Sequence, residues 1–310
     1  MLGIVILNYN SYLDTISCVD SILSSNLDGY KIYIVDNCSK NDSFSILSEK
    51  YQDTSVLVLK SDYNGGFAYG NNFGFKRAVE DGCSLLLSTN SDVLFDADAI
   101  KIMKEFLIEN DDCGIVGPLI RNIDDEIVNC NRGILTWKSH LFMKKPLCYL
   151  DIMRVKKKFH IPVDNIHPAK INGMVSGCCF MIKDDVLKEI GYLDENTFLY
   201  HEEDILSVQM QRINKAVYYL PDAKIKHLES KSVGNQKTAF VRYHDFRSAI
   251  YYPAIYQKTP KLMFFVITKM HLFALWLKGI TNKEYRGYYK LLKKDIKNIK
   301  KRGVLSEKNQ

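Results

Sequence analysis

Leu85-Leu-Leu-Ser-Thr-Asn-Ser-Asp-Val-Leu-Phe95 is the stretch on which the fold turns. An apolar run of strand length stops abruptly at Asn90-Ser91-Asp92, and after a short turn Asp96 opens an amphipathic helix. A buried strand that ends in a short acidic turn presents its carboxylate at the carboxyl edge of a sheet, where open α/β folds bind ligands. One carboxylate with room for waters and ligand phosphates suits a hard divalent cation, Mg²⁺ or Mn²⁺. On this turn alone, an Asp that merely caps the next helix is the commoner reading.

Working outward, Leu2-Gly-Ile-Val-Ile-Leu7 is an apolar strand broken by Asn8-Tyr-Asn10, and Leu13, Ile16, Val19 and Leu23 follow at helical spacing. Lys31-Ile-Tyr-Ile-Val35 is a second strand ending in the turn formers of Asp36-Asn-Cys-Ser-Lys-Asn-Asp42. A helix over about Ser43 to Tyr51 leads to the strand Ser55-Val-Leu-Val-Leu59. Then come Asn64-Gly-Gly-Phe-Ala-Tyr-Gly-Asn-Asn-Phe-Gly74 and a helix start. After Asp96 a helix carries Ile100, Met103, Phe106 and Leu107 on one face, and Gly114-Ile-Val-Gly117 is a further strand. This alternation predicts an α/β fold with a mainly parallel sheet covered on both faces. Asp36 and Asp92 both stand where a strand ends, so parallel strands place them on one rim.

From about Ile120 to Ala169 no period is legible. Lys144-Lys145 and Arg154 to Lys158 are basic, and the segment reads as an excursion over the active face. Order returns at Ile171-Asn-Gly-Met-Val-Ser-Gly-Cys-Cys-Phe-Met-Ile182, a strand with Gly173 and Gly177 where something must approach closely. Asp184 to Glu189 is a short helix ended by Gly191. Phe198-Leu-Tyr200 leads into His201-Glu-Glu-Asp204 and a helix to about Asn214. Ala216-Val-Tyr-Tyr-Leu220 is a strand, then Pro221-Asp222, then Lys224-Ile-Lys-His227. Leu262 to Leu277 is apolar but interrupted by Lys269 and His271, and is shorter than the roughly 20 residues a bilayer crossing needs, so an interfacial or docking helix is expected in place of a membrane span. Lys290-Leu-Leu-Lys-Lys-Asp-Ile-Lys-Asn-Ile-Lys-Lys301 sets Leu291, Leu292, Ile296 and Ile299 against a lysine face. That is the composition of a membrane-surface helix, and equally of a solvated helix packed on its own domain.

The 310 residues suffice for one large α/β domain with appendages, and 46% hydrophobic with 25% charged residues is ordinary for a globular protein with a core. The net charge of +6 is concentrated from Lys278 onward, which points to an anionic partner for the tail. The first two hundred residues are not basic enough for a nucleic-acid track. Eight cysteines at 18, 38, 83, 113, 130, 148, 178 and 179 show neither zinc nor redox spacing and imply a reducing cytosol. A strand beginning at residue 2 leaves no space for a signal peptide.

Singly these motifs are weak, but in order they resemble the family 2 glycosyltransferases of GT-A fold, especially the bacterial rhamnosyltransferase-like branch. Ile4-Val-Ile-Leu-Asn-Tyr-Asn10 is similar to that family's opening strand, and Val35-Asp-Asn-Cys-Ser-Lys-Asn-Asp42 to its nucleotide-reading strand end. The segment 64–74 is similar to its glycine-rich element. Thr89-Asn-Ser-Asp92 occupies the place of its D-x-D element. Val175-Ser-Gly177, Phe198-Leu-Tyr-His-Glu-Glu-Asp204 and His227-Leu-Glu-Ser-Lys-Ser232 complete the series, which spans residues 2 to 235.

The resemblance implies a nucleotide-sugar-binding half over residues 1–120, an acceptor-binding and catalytic half over 121–235, and a helical basic extension over 236–310. It implies donor contacts from Asn8, Asp36, Asn64, Gly66, Phe67, Asn71, Asn90 and Gly177, and a Mg²⁺ or Mn²⁺ held by Asp92 with His227. The base falls on Glu203, with Asp204 in reserve. Three adjacent carboxylates also suit a helix start, where the dipole favours acids, and their mutual repulsion moves one of them towards a useful base. The family's later Asp and Arg fall on Ile205 and Gln209, so partner contacts in this helix are expected to differ. The implied activity is an inverting transfer from a nucleotide-diphosphate sugar, dTDP-rhamnose or a UDP-hexose, to a hydroxyl of a surface glycan precursor carried on a lipid. The protein would be cytoplasmic, at the inner membrane face, with its basic C-terminal helix on anionic lipid. The competing reading is a catalytically degenerate protein that only binds sugar nucleotide or membrane. A sugar-1-phosphate nucleotidyltransferase is disfavoured, because Asn8-Tyr-Asn-Ser11 stands where a basic, glycine-rich phosphate loop is needed.

Overall fold

The computed structural model describes residues 1–128, 131–142, 166–228 and 238–308. The basic runs at 144–145 and 154–158 and the motif residues 229–232 lie outside the described residues. In the first half β1 (Leu2–Asn8), α1 (Tyr12–Leu23), β2 (Tyr30–Asp36), α2 (Ser43–Tyr51), β3 (Val56–Lys60), α3 (Gly66–Glu80) and β4 (Leu85–Asn90) alternate as expected. Strands β3, β2, β1 and β4 lie side by side in that order and are mutually parallel. Such strands are buried on both faces, which explains their continuous apolar runs. Period-two alternation then divides them. Ile4, Ile6, Ile32, Ile34 and Leu87 meet α1, α2 and α4 (Ala99–Glu109), whereas Val5, Tyr33, Val35 and Leu86 meet α3.

The sheet continues past β4 through β10 (Cys179–Lys183), β6 (Cys113–Arg121), β11 (Ala216–His227) and β5 (Val93–Phe95), with β8 (Ala169–Ile171) beside the start of β11. Here the pairing is mixed, because β10 is antiparallel to both neighbours while β6 and β11 are parallel to each other. A small ribbon of β7 (Arg132–Gly133) and β9 (Gly173–Met174) lies apart from it. The remaining helices are α5 (Trp137–Phe142), α6 (Asp184–Glu189), α7 (Glu202–Arg212), α8 (Ala239–Ile255), α9 (Lys261–Thr281) and α10 (Lys283–Lys308).

Three expectations need correction, and burial bears on one pair of open alternatives. The helix after the acidic turn starts at Ala99, because the Asp96 carboxylate is taken by Arg121 and Asp98 stands at the N-cap. Residues 216–227 form one strand, not two: the register against β6 shifts between Leu220 and Lys224, so Pro221 sits in a bulge where its missing N–H is harmless. The apolar C-terminal helix is 21 residues long, which is long and apolar enough by length and composition to cross a membrane. Finally, α10 does not reserve its apolar side for a bilayer. Leu292, Ile296 and Ile299 are buried in a third core with Phe246, Ile250 and Tyr252 of α8 and Leu275 of α9. That core also receives Ile205 and Val208 from α7, whose opposite side gives Leu206 and Met210 to the sheet core. Helix α7 is therefore sandwiched between sheet and bundle.

Candidate active site

Because β1, β2 and β4 are parallel neighbours in register, Asn8 lies opposite Asp36 and Leu7 opposite Asn90, so three strand ends share one rim. The Asp36 carboxylate is fully buried. One oxygen accepts the Asn8 side-chain amide at 2.7 Å and the other the backbone N–H of Ser39 at 2.9 Å. Asn8 is also fully buried, its carbonyl oxygen accepting from the Thr15 hydroxyl at 2.9 Å. Asn8 thus braces the rim from within. Asn37 is a junction that sequence reading missed: its amide donates to Asn64 Oδ1 at 3.1 Å and to the Gly66 carbonyl at 3.0 Å, and its own oxygen accepts from Ser61.

The glycine-rich segment serves the protein's own packing. Asn64 Oδ1 accepts the Gly66 N–H at 3.0 Å, an Asx turn that starts α3. Gly66 has φ +88°, and a Cβ there would lie 2.1 Å from the Phe198 carbonyl oxygen, which accepts the Phe67 N–H at 3.0 Å. Gly70 and Gly74 seat α3 on Leu7, Val5 and Val35. Asn71 is fully buried, with its amide bonded to the Phe67 carbonyl and its oxygen to the Ser88 hydroxyl at 2.7 Å. Phe67 is half-buried against the core on this face. The structure therefore places Asn8 and Asn71 inside the protein, while Asn64, Phe67 and Asn90 keep partial exposure.

Asp92 follows the end of β4 and is 7% exposed. The end of β11 pairs with β5 just beyond it, His227 opposite Val93, and brings His227 Nε2 to 3.2 Å from Asp92 Oδ1. Burial first, and then the Asp92 charge, push the Cys18 thiol up. A carboxylate oxygen and an imidazole nitrogen at this separation match neighbouring ligands of an octahedral shell, which at bonds of about 2.1 Å lie about 3 Å apart. Among the described residues no further His, Cys, Asp or Glu completes a three-residue metal cluster. Two protein ligands plus phosphate oxygens and water are the pattern expected of Mg²⁺ or Mn²⁺, so the residues fit.

The three carboxylates of α7 have three different environments. Tyr200 and His201 precede the helix in left-handed conformation, both at φ +69°, and turn the chain sharply into it. Glu202 is 8% exposed with no partner for Oε1 among the described residues; burial first, then the charge of Glu203, push its carboxyl well above the ordinary range. Asp204 is wholly buried and committed to His201 Nδ1 at 2.9 Å and the Arg132 guanidinium at 3.6 Å. Glu203 alone is half-exposed, and its Oε1 accepts the Gly177 backbone N–H at 3.3 Å. The next residue, Cys178, accepts the Asn90 backbone N–H at 2.9 Å, so Glu203 reaches the acidic turn through a single strand junction. Ile205 and Gln209 depart from the family pattern for visible reasons. Ile205 belongs to the helical-bundle core, and the Gln209 amide caps the Ile190 carbonyl at the end of α6.

This order of elements, with an acidic turn after the fourth strand and a carboxylate helix feeding the same rim, agrees with sequence comparison. Residues 3–191, more than half of the chain, match the family described as Glycosyl transferase family 2. The chain belongs to glycosyl transferase family 2. Among curated relatives it is 25% identical over 248 residues to the low-salt glycan biosynthesis hexosyltransferase Agl10 of Haloferax volcanii, covering 80% of this chain and 73% of that one. Solved structures of the same fold include GalNAc-T7 with UDP, GalNAc and Mn²⁺ (TM-score 0.58, 15% identity), which aligns over 87% of this chain. This chain spans only 54% of that one's length. The mannosyltransferase PcManGT of Pyrobaculum calidifontis, with GDP-Man and Mn²⁺, matches 98% of this chain and 86% of its own (TM-score 0.53, 12% identity). The family 2 assignment makes the protein a glycosyltransferase of GT-A fold, with a helical C-terminal region appended.

Proposed function

We propose that this family 2 glycosyltransferase is an inverting hexosyltransferase that uses a nucleotide-diphosphate sugar, of the dTDP-rhamnose or UDP-hexose class, to glycosylate a lipid-linked surface-glycan precursor at the cytoplasmic face of a membrane. Residues 1–120 bind the donor, 121–235 the acceptor and the reacting atoms. What carries the reading is the convergence of Glu203, Asn90 and the Asp92–His227 pair on one rim through Gly177 and Cys178. The UDP and GDP-mannose complexes of the structural neighbours, and the glycan-building role of the Haloferax relative, are consistent with it.

Asp92 and His227 would hold a Mg²⁺ or Mn²⁺ ion, which would supply charge neutralisation for the departing diphosphate. Asn90, whose side chain has no hydrogen bond among the described residues, receives a donor hydroxyl. Asn64, Gly66 and Phe67 border the nucleotide, and buried Asp36 fixes the rim on which it rests. Glu203 takes the proton of the acceptor hydroxyl as its oxygen bonds to the anomeric carbon. The bond from that carbon to the diphosphate oxygen breaks on the opposite face, which inverts the configuration. Asp204 is a positioning residue for α7 rather than a base, because its carboxylate is sealed from the rim.

Calorimetric titration of a panel of nucleotide-diphosphate sugars, with Mn²⁺ or with EDTA, tests this. Metal-dependent binding of one donor by the wild type, lost in Asp92→Ala, is the expected result. Binding to no donor under either condition overturns the catalytic reading in favour of a degenerate protein.

A further inference from the structure

Helix α9 has two unlike faces. Ile267, Thr268, His271, Leu275 and Gly279 are buried against the bundle, and His271 Nε2 meets His140 Nε2 of α5 at 3.0 Å. The opposite face carries Leu262, Phe265, Phe273, Trp276, Leu277 and Ile280, each between 46% and 66% exposed. Their spacings of three, eight, three, one and three residues fall on a single stripe of a 3.6-residue helix. Together they expose on the order of 600 Å², the upper end of what a monomer ordinarily leaves uncovered in one patch.

The surrounding charge names what covers the stripe. From Phe246 to Lys283 the chain contains no Asp or Glu, whereas Lys258, Lys261, Lys269, Lys278 and Lys283 are all exposed. Lys269 lies within the stripe with its ammonium over the Phe265 ring at 5.2 Å, an apolar stem ending in a charge. Beyond it, residues 258–302 carry thirteen Lys and Arg against Glu284 and Asp295. We propose that this face of α9 docks on an anionic lipid bilayer, the helix lying in the interfacial plane with its aromatic and aliphatic side chains below the headgroups. A two-fold contact with a second copy would set the same lysines against each other without an acid to answer them. A bilayer crossing would pull Thr268 and His271 out of the bundle into hydrocarbon. The surface therefore belongs to α9, with α10 supplying charge but not the inserted side chains. The inference stands on the patch and its charge, independently of the transferase reading.

The chain has two tryptophans, Trp137 and Trp276, so in a Trp137→Phe variant of the full chain Trp276 alone reports. On vesicles of mixed phosphatidylcholine and phosphatidylglycerol its emission is expected to shift blue and to be quenched by lipids brominated near the glycerol. Vesicle sedimentation should fall about tenfold or more in Phe265→Ser/Phe273→Ser, and comparably on pure phosphatidylcholine or at high salt. Circular dichroism and donor binding should be unchanged, which separates loss of docking from loss of fold. The proposal is overturned by an unshifted Trp276 emission, by sedimentation unchanged in the double variant, or by a concentration-dependent dimer that the double variant abolishes. Retention in membranes through alkaline carbonate washing overturns it in favour of a spanning helix.

Discussion

Glu203 Oε1 accepts the backbone N–H of Gly177 at 3.3 Å, and a methyl group on that α-carbon would stand 2.7 Å from the same oxygen, so the Glu203 side chain would have to shift to admit it. The contact joins the carboxylate helix to the strand that borders the acidic turn. It also fixes the proposed base without using its second oxygen.

Gly177→Ala is therefore expected to move the Glu203 carboxylate while leaving the Asp92–His227 pair alone. Displacing a reacting group by about 1 Å costs about a hundredfold in rate. Steady-state kinetics should show kcat reduced about 10- to 100-fold with donor affinity within about twofold of wild type. An equal loss of donor affinity would place Gly177 in the donor site instead.

Glu203→Gln and Asp204→Asn should separate chemistry from stability. The first is expected to lower kcat about 10²- to 10⁴-fold, the range of a lost general base, with little change in denaturant midpoint. The second breaks a wholly buried carboxylate away from His201 and Arg132. It should cost about 3 kcal/mol of unfolding free energy, the low end for a broken buried pair because Arg132 is 36% exposed. A folded, stable Asp204→Asn protein with no activity would reverse the two assignments.

Gly66→Ala and Gly82→Ala form a matched pair, since both glycines have positive φ, +88° and +83°. Among the described residues nothing lies within 4 Å of a Cβ at Gly82, so only left-handed strain of about 1 kcal/mol is expected there. At Gly66 the Phe198 carbonyl adds a clash that must displace the 198–201 turn. Chemical denaturation should show a distinctly larger loss, about 2 kcal/mol or more, together with reduced kcat.

Glu202 sets a pH dependence. Its folded pKa lies above its ordinary value of 4.5, because burial disfavours the charged form. The folded state then binds the proton more tightly than the unfolded chain. This contribution to stability is complete below pH 4.5 and is lost as pH rises towards the elevated folded value. Glu202→Gln cannot ionise and keeps it. Melting temperatures measured across this range should fall with pH in the wild type relative to the variant, and parallel curves would refute the assignment.

The alternation of Leu2–Leu7, Lys31–Val35 and Leu85–Phe95 with amphipathic runs was sufficient to read a parallel α/β sheet and to place Asp36 and Asp92 on one rim. Period-two and 3.6-residue patterns are local consequences of which side of an element is buried. The chain order of the motifs likewise carried the family resemblance without any tertiary information.

What sequence could not assign were roles that depend on partners far along the chain. Asn37 braces Asn64 and Gly66, 27 and 29 residues away, and nothing in a run of turn formers distinguishes it from its neighbours. Glu202, Glu203 and Asp204 are adjacent and alike in sequence. Only the sandwiching of α7 between sheet and bundle decides that Asp204 is sealed, Glu202 desolvated and Glu203 left at the rim. The same holds for the C-terminal helices. The amphipathic pattern of α10 is plain in its sequence, but tertiary packing directs its apolar side inward, and leaves the apolar side of the less regular α9 to face outward. A pattern records that a face is apolar; which neighbour covers it is settled by the fold.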